Sequence, residues 1–484
     1  MEPRMLSFRS KLSYALGAVG KDMVYMLSAS YILYYYEDLL KVDPLVMSAI
    51  IMAARVFDAF NDPIMGTIVA KTKTRWGRFR PWLMIGTLTN AVVLFLMFAA
   101  PPKTDAAGLA AYAAVFYILW GVTYTIMDIP YWSMIPAFTE GGKERENLTT
   151  IARTAAGVGA AIITVATMKV VPWLGGLFAA KDAGANAIEI EGFKWFSLIV
   201  AAIFIAFITL TCINVKEKST TEMKTATVKE MFKALVQNDQ AMTVTIAIVL
   251  VNCAVYITSN LVIYFFKYDF GTTGWHNAYV LFNTFGGAVQ VLSMMLFYPL
   301  LRKKFTNRKI FDICLGLAAA GYLVLLGLAF TNMSSVYLLF IPGFCIFAAN
   351  GILTVITTVF LANTVDYGEL KNHRRDESVI FSMQTFVVKL ASGIAILATG
   401  ICLKLNNLKQ DDKVTEEMKT VDWSLGVSQA AKTGLRMTMT VIPIIGLIIA
   451  FLWFRKKFIL NDEKVSEIAE EVRKLHAEEA AEAE

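Results

Sequence analysis

Arg55, Asp58 and Asp62 stand at i, i+3 and i+7, with Asn61 beside them, inside a stretch that is otherwise apolar enough to cross a bilayer. On an α-helix these positions share one face. An ionised side chain at mid-bilayer costs about 2.5–3.5 kcal/mol on insertion scales, so three on one helix mark a site in use. Two carboxylates with an amide oxygen between them make an oxygen-only nest, suited to a small monovalent cation such as Na+ or Li+, or to a proton. The sequence YTIMDIPYWSMIP sets Thr125, Asp128 and Trp132 at the same i, i+3, i+7 spacing, again on one face.

Further charges fall inside apolar stretches: Lys21, Asp22, Arg153 and Lys389. With Arg55, Asp58, Asp62 and Asp128 they make four acids and four bases, a balance that predicts mutual neutralisation around a shared cavity. A carboxylate accepts from two sugar hydroxyls at once, an indole covers the apolar face of a pyranose, and a lysine or arginine donates to ring oxygens. Lys21, Asp22, Asp128, Trp132, Arg153 and Lys389 together form such a kit. Each also has a plainer reading. Trp132 fits a core or lipid-facing position, Lys21 fits a snorkelling one, and Asp128 with Arg153 fits a structural pair. Pro63, next to Asp62, is placed to kink its helix.

These side chains need a scaffold in lipid. The chain has 484 residues, 56% hydrophobic and 17% charged, with a mean hydropathy of +0.55. Those values exclude a soluble globule. Twelve apolar stretches, each long enough to span the hydrocarbon core as a helix, are predicted near 13–38, 45–70, 82–100, 108–138, 149–174, 193–215, 241–267, 275–301, 309–331, 335–363, 378–404 and 433–455. None alternates like a barrel strand, so the fold class is an all-α integral membrane bundle.

The net charge of +6 gathers in every second loop: Arg4, Arg9 and Lys11 first, then Lys71 to Arg80, then Arg302 to Lys309. The opposite short loops carry only Lys41, Lys103 or Lys267. This asymmetry predicts cytoplasmic termini and excludes nucleic acid as the partner of the positive charge. The start, MEPRMLSFRSKL, has no cleavable-signal pattern, so the first span is expected to be retained. The five cysteines lie in spans without metal-ligand spacing, and no nucleophile, metal cluster or phosphate loop suggests an enzyme. No resident cofactor is expected.

The charged stretch 216–240 separates two sets of six spans. The domain reading is therefore a bundle over 1–215, a connector over 216–240 with a turn or two of amphipathic helix, a second bundle over 241–456, and a cytoplasmic tail over 457–484. Basic loops at equivalent places in each half form a weak internal repeat. In the tail, Val465, Ile468, Ala469, Val472 and Leu475 recur at helical spacing. RWGRFRPW, with Arg78 and Arg80, and NTVDYGELKNHRRDES, with Asp366 and Glu369, read as loop latches that form ion pairs across the lobes, and Arg55 reads as a gating or structural charge.

The motifs YALGAVGKDM, DAFNDPIMG, RWGRFRPW, YTIMDIPYWSMIP, VDYGE and QTFVVK resemble the glycoside–pentoside–hexuronide cation symporters of the major facilitator superfamily. The resemblance covers nearly all twelve spans. It implies two pseudo-symmetric six-helix bundles, alternating access, and a monomer in a bacterial inner membrane. It also implies a cation site of Asp58, Asn61, Asp62 and Thr125, and a sugar site of Lys21, Asp22, Tyr124, Asp128, Trp132 and Arg153, with Lys389, Gln384 and Thr385 from the second half. The implied cargo is Na+, Li+ or H+ with a melibiose-like galactoside. Thr354 stands where melibiose-type members carry an aromatic residue, and Asn363 where an acid is common. Two other readings stay open: a glucuronide or pentoside symporter on the same scaffold, and a sugar sensor or lipid-handling protein that accumulates no sugar.

Overall fold

The computed structural model describes residues 6–483 except 102–103, 136–141, 181–182, 217–227, 271–273, 332–334, 373–376 and 409–421. Arg4 and the HRRD segment of the second latch thus lie outside the described residues. Fourteen helices account for most of the rest.

The first six are α1 (Phe8–Leu33), α2 (Pro44–Lys71), α3 (Arg80–Met97), α4 (Ala106–Ser133), α5 (Gly142–Phe178) and α6 (Ala185–Asn214). A short helix, α7 (Val228–Gln237), leads into α8 (Asp239–Tyr264). Then come α9 (Trp275–Leu292), α10 (Asn307–Ala329), α11 (Phe340–Asn372), α12 (Glu377–Asn406), α13 (Gln429–Lys457) and α14 (Asp462–Ala483). Among the described residues eleven helices are long and apolar enough to cross a membrane. The twelfth spanning element, α1, is diluted by Arg9, Lys11, Lys21 and Asp22.

Local chemistry sets many of the ends. Ser7, Asp43, Asp105, Thr306 and Ser428 each cap a helix with a side-chain oxygen on an otherwise orphan backbone N–H. Pro44 at the first position of α2 is pre-set for helix and lacks only a hydrogen bond that position never makes. Helix α2 runs on through Pro63 to Lys71 without interruption.

The packing repeats. Helices α1, α2, α3, α4, α5 and α6 correspond to α8, α9, α10, α11, α12 and α13. The contacts α1·α5, α1·α6, α2·α4, α3·α4, α3·α6 and α5·α6 recur in the second half as α8·α12, α8·α13, α9·α11, α10·α11, α10·α13 and α12·α13. The two bundles meet through α2 against α12 and α5 against α9, themselves a symmetry-related pair.

Small residues make close crossings possible. A methyl group on Gly159 would meet the Val19 carbonyl oxygen at 2.3 Å, and one on Gly400 would meet Ser48 Oγ at 2.1 Å. Outward faces are apolar, as lipid demands: Phe57, Phe60, Ile64 and Ile68 form one such stripe on α2. The tail forms α14, whose Val465 and Ile468 pack on the second bundle while Asp462 pairs with Arg302 at 2.6 Å.

Several boundaries differ from the hydropathy reading. Helix α5 begins at Gly142 and α11 reaches Asn372, each running well past its apolar stretch into charged sequence. Once nucleated, a helix propagates through any sequence without a breaker, whereas hydropathy locates only the oily part. The largest correction is Lys267. Counted with the loop charges although it ends the predicted span 241–267, it lies in a π-helical continuation of α8 (Phe265–Phe270), with no solvent exposure.

Candidate functional site

Between the bundles lies a cavity of about 370 Å³. Its walls come from α1, α2, α4, α5 and α12. Lys21, Asp22 and Tyr25 enter from α1; Arg55 and Asp58 from α2; Trp120, Tyr124, Thr125, Asp128 and Trp132 from α4; Arg153 from α5; and Gln384, Thr385, Val388 and Lys389 from α12. Every residue proposed from the sequence for sugar contact lines this space.

Helix α4 supplies the most groups because Trp120, Tyr124, Asp128 and Trp132 step by about one turn and so share a face. That helix is held to α1 by a two-way clamp. The Tyr14 hydroxyl donates to the Tyr131 carbonyl at 2.5 Å, the Tyr131 hydroxyl donates to the Tyr14 carbonyl, and the two rings stack at 4.5 Å. Lys21 is thereby fixed beside α4. Its ammonium lies 2.8 Å from Asp128 Oδ1 and 3.4 Å from Asp22 Oδ2, and donates to the Tyr124 hydroxyl at 3.2 Å.

These contacts decide between the readings left open for single residues. Lys21 is 3% exposed and snorkels nowhere. Asp128 pairs with Lys21, and the Arg153 guanidinium lies over the Trp132 ring at 3.9 Å from its centre. Trp132 therefore faces the cavity and offers ring surface next to two cationic donors.

The second cluster adjoins the first through Thr125, whose hydroxyl donates to Asp62 Oδ1 at 3.1 Å. The other Asp62 oxygen accepts the Lys389 ammonium of α12, an ion pair across the two bundles. Asp58 is 6% exposed, and its Oδ1 has no hydrogen-bond partner in the described structure. It is set against α4 where only glycine fits: a methyl group on Gly121 would come within 2.3 Å of Asp58 Oδ1. The Asn61 amide nitrogen is likewise buried and unpartnered. A buried carboxylate oxygen without a partner, beside a second carboxylate and a hydroxyl, makes an oxygen-rich donor set of the kind a small hard cation takes; the unpartnered Asn61 nitrogen is an N–H donor and adds no ligand. Among the described residues no group of three or more His, Cys, Asp or Glu gathers as a multivalent-metal site would require.

Arg55 completes the wall. It lies 3.5 Å from the Tyr25 hydroxyl and over the Tyr25 ring. Seven of the eight intramembrane charges named from the sequence face the cavity, and the eighth, Asp62, is bonded to two residues that do. Tyr25, Trp120 and Val388 also line it, although neither charge nor spacing distinguished them among the chain's many apolar and aromatic residues.

At the far end of the interbundle space, opposite the termini, the bundles are bridged, beside a second cavity of about 710 Å³ that Asp38, Tyr268 and Trp423 line. Lys267 bridges to Asp38 at 2.6 Å and donates to the Tyr34 hydroxyl at 2.9 Å, while the Tyr268 hydroxyl donates to the other Asp38 oxygen. The Trp423 ring lies 4.1 Å from the Lys267 ammonium. Tyr34 donates to Glu189 at 2.8 Å, and His276 stands 3.6 Å from that carboxylate. Asp38 sits in a π turn, Tyr34–Leu39, that matches the one carrying Lys267. These closing groups went unrecognised in the sequence because they lie at span ends, where charges are ordinary.

Part of the second latch segment is tied within its own bundle. Tyr367 and Lys371 both bind Asp239, and the Asn238 amide donates to the Thr364 carbonyl at 2.7 Å, so the VDYGELK segment is fastened to the start of α8 within its own bundle. Glu369 is buried and Asp366 half-buried; Arg78 and Arg80, half-buried, flank the first turn of α3.

A multi-pass bundle with two pseudo-symmetric halves and a charged cavity between them defines a membrane transporter of the major facilitator type. The family profile described as MFS/sugar transport protein matches residues 13–462, and the chain belongs to that family. It is 28% identical to the lactose permease of Lactobacillus delbrueckii subsp. bulgaricus over 98% of this chain and 74% of that protein. It is 26% identical to the raffinose carrier protein of Pediococcus pentosaceus over 96% of this chain and 71% of that one. The crystal structure of a D-xylose-proton symporter shares the fold, with a TM-score of 0.59 at 13% identity, covering 94% of this chain and 98% of that one. The family consists of transporters, not enzymes, which agrees with the membership expected from the motifs.

Proposed function

We propose that the chain imports a glycoside together with a monovalent cation, Na+ with Li+ or H+ as substitutes, by alternating access of bundles 1–215 and 241–456 in a bacterial inner membrane. The carrying observation is the adjacency of two clusters in one cavity. Asp22, Asp128, Arg153, Lys21 and Trp132 form a sugar-binding set on the cavity wall, and Asp58, Asn61, Asp62 and Thr125 a cation-binding set of which Asp58 and Thr125 line the cavity and Asp62 lies just behind it, bonded to Thr125; the two sets are joined through α4 by Thr125 and Asp128 three residues apart.

The coupling follows from the charges. Lys389 neutralises Asp62 across the bundles. A cation entering between Asp58 and Asp62 competes with that ammonium and frees Lys389, and with it α12, to close on a sugar. Sugar held by α4 in turn fixes Thr125 and raises cation affinity by the same factor. With the termini cytoplasmic, as the basic loops indicate, the bridged far end makes this the inward-facing arrangement.

The lactose and raffinose carriers among the relatives support a galactoside as substrate, since both sugars contain a galactosyl unit. The test is initial uptake of labelled galactosides, pentosides and glucuronides into vesicles under imposed Na+, Li+ or H+ gradients. Stimulation by one gradient supports the proposal, and binding without accumulation under every gradient refutes it in favour of a sensor or lipid-handling protein.

A further inference from the structure

Helix α7, in the connector, has a surface that the transport cycle leaves unexplained. Leu235 is buried against the second bundle, while Lys229, Phe232, Lys233 and Val236 are exposed on one side and Glu230 and Gln237 are exposed beyond Lys233, away from the apolar edge. At 100° per residue Lys229, Phe232, Lys233 and Val236 fall in one arc, the two apolar residues next to the buried edge and the two lysines just beyond. An exposed Phe and Val bordered by lysines is the pattern of a helix lying in a membrane interface, with rings in the acyl boundary and ammonium groups at headgroup level.

The depth of α7 can be read from its neighbours. The Phe232 ring packs edge-on to Phe386 of α12 at 5.6 Å, and Phe386 packs edge-on to Phe60 of α2 at 5.7 Å. Phe386 lies within the apolar span Met383–Asn406 and Phe60 within Pro44–Gly66. Phe60 also belongs to the outward stripe Phe57, Phe60, Ile64, Ile68. The exposed apolar edge of α7 is therefore continuous with a lipid-facing surface, on the outer side of the seam where α2 crosses α12.

We propose that α7 is an interfacial lipid-binding helix: Phe232 and Val236 insert among acyl chains, and Lys229 and Lys233 bind the phosphates of anionic phospholipids, anchoring the connector to the bilayer beside α12. The chemistry is charge complementarity to an anionic leaflet, worth about fivefold in affinity per lysine. Nothing in it depends on which sugar or ion is carried.

The test uses the full-length chain with its five cysteines replaced, checked for retained membrane insertion and folding, and a nitroxide attached at Val236→Cys. In vesicles of phosphatidylcholine with one third phosphatidylglycerol, the label is expected to collide with oxygen several-fold more than with a water-soluble nickel chelate. It is also expected to move outward when phosphatidylglycerol is omitted. Adding K229Q and K233Q should abolish that lipid-dependent movement, whereas K303Q and K304Q in a separate basic loop should not. A label equally open to the nickel chelate in both lipids overturns the interfacial placement. Lipid-dependent movement that survives K229Q and K233Q overturns the headgroup assignment.

Discussion

Two sets of interbundle charges behave oppositely. At the far end, Lys267 and Asp38 are 0% and 3% exposed, and both Asp38 oxygens are occupied, one by the ammonium and one by the Tyr268 hydroxyl. At and beside the cavity, Lys389 and Asp62 are 25% and 18% exposed and Lys21 and Asp128 are 4% and 26% exposed; buried polar atoms without a hydrogen-bond partner occur in both regions, Asp58 Oδ1 and Arg55 Nε here, Trp275 Nε1 and His276 Nε2 at the far end. A buried pair is tolerable only when its hydrogen-bonding capacity is filled, and then it behaves as a fastening. A half-open cluster with spare capacity can exchange partners, which is what a site must do. On the proposed function the far end would act as a lock and the cavity as a docking surface, although both are built from Asp, Lys and aromatic side chains.

The contrast can be broken at its strongest point by Asp62→Asn. It removes a carboxylate of the proposed cation set and strands Lys389, and the loss of gradient-driven uptake is expected to reach at least about 100-fold. Uptake kinetics in vesicles measure it; wild-type stimulation by the ion gradient would dissolve the distinction drawn for the cavity.

Lys267→Met attacks the lock instead. Leaving Asp38 buried and unpaired costs the sealed state about 3–5 kcal/mol, enough to shift the sealed-to-open ratio by roughly 100-fold or more. Labelling of a cysteine placed at Val388, on the cavity wall, by an impermeant maleimide applied outside should rise steeply. Adding Asp38→Asn should reverse much of the rise.

Gly121→Ala sharpens the division within the cavity. Its methyl group displaces the Asp58 carboxylate, and overpacking of this kind costs about 1–3 kcal/mol. The apparent cation affinity should fall about tenfold, with sugar affinity at saturating cation preserved. Trp132→Phe is the mildest test. It trims ring surface and weakens the stacking of Arg153, so sugar affinity should fall about fivefold by direct binding while cation affinity stays put.

How much of this was legible beforehand follows the range of each interaction. Asp58 and Asp62, or Tyr124, Asp128 and Trp132, share a face because helical periodicity is local, and a helix was assured by the apolar runs around them. The same reasoning missed Tyr25 and Trp120, since an aromatic residue on an apolar helix looks alike whether it faces lipid, core or cavity. Lys267 was counted as a loop charge because a lysine at a span end ordinarily faces the headgroups, whereas a π turn carries the helix on to Phe270 and turns it inward.

The sequence by itself determined that this chain spans a membrane twelve times in two like halves, with balanced charge inside, because burial in lipid and helical period act over a few residues at a time. Only the tertiary structure decided which charge met which. Lys389 reaches Asp62 across 327 positions of sequence, Lys267 reaches Asp38 across 229, and Lys21 chooses Asp128 while Arg153 lies on Trp132. Those choices depend on how α2 and α12, and the ends of α1 and α8, are brought together. That is a property of packed surfaces and not of any single segment.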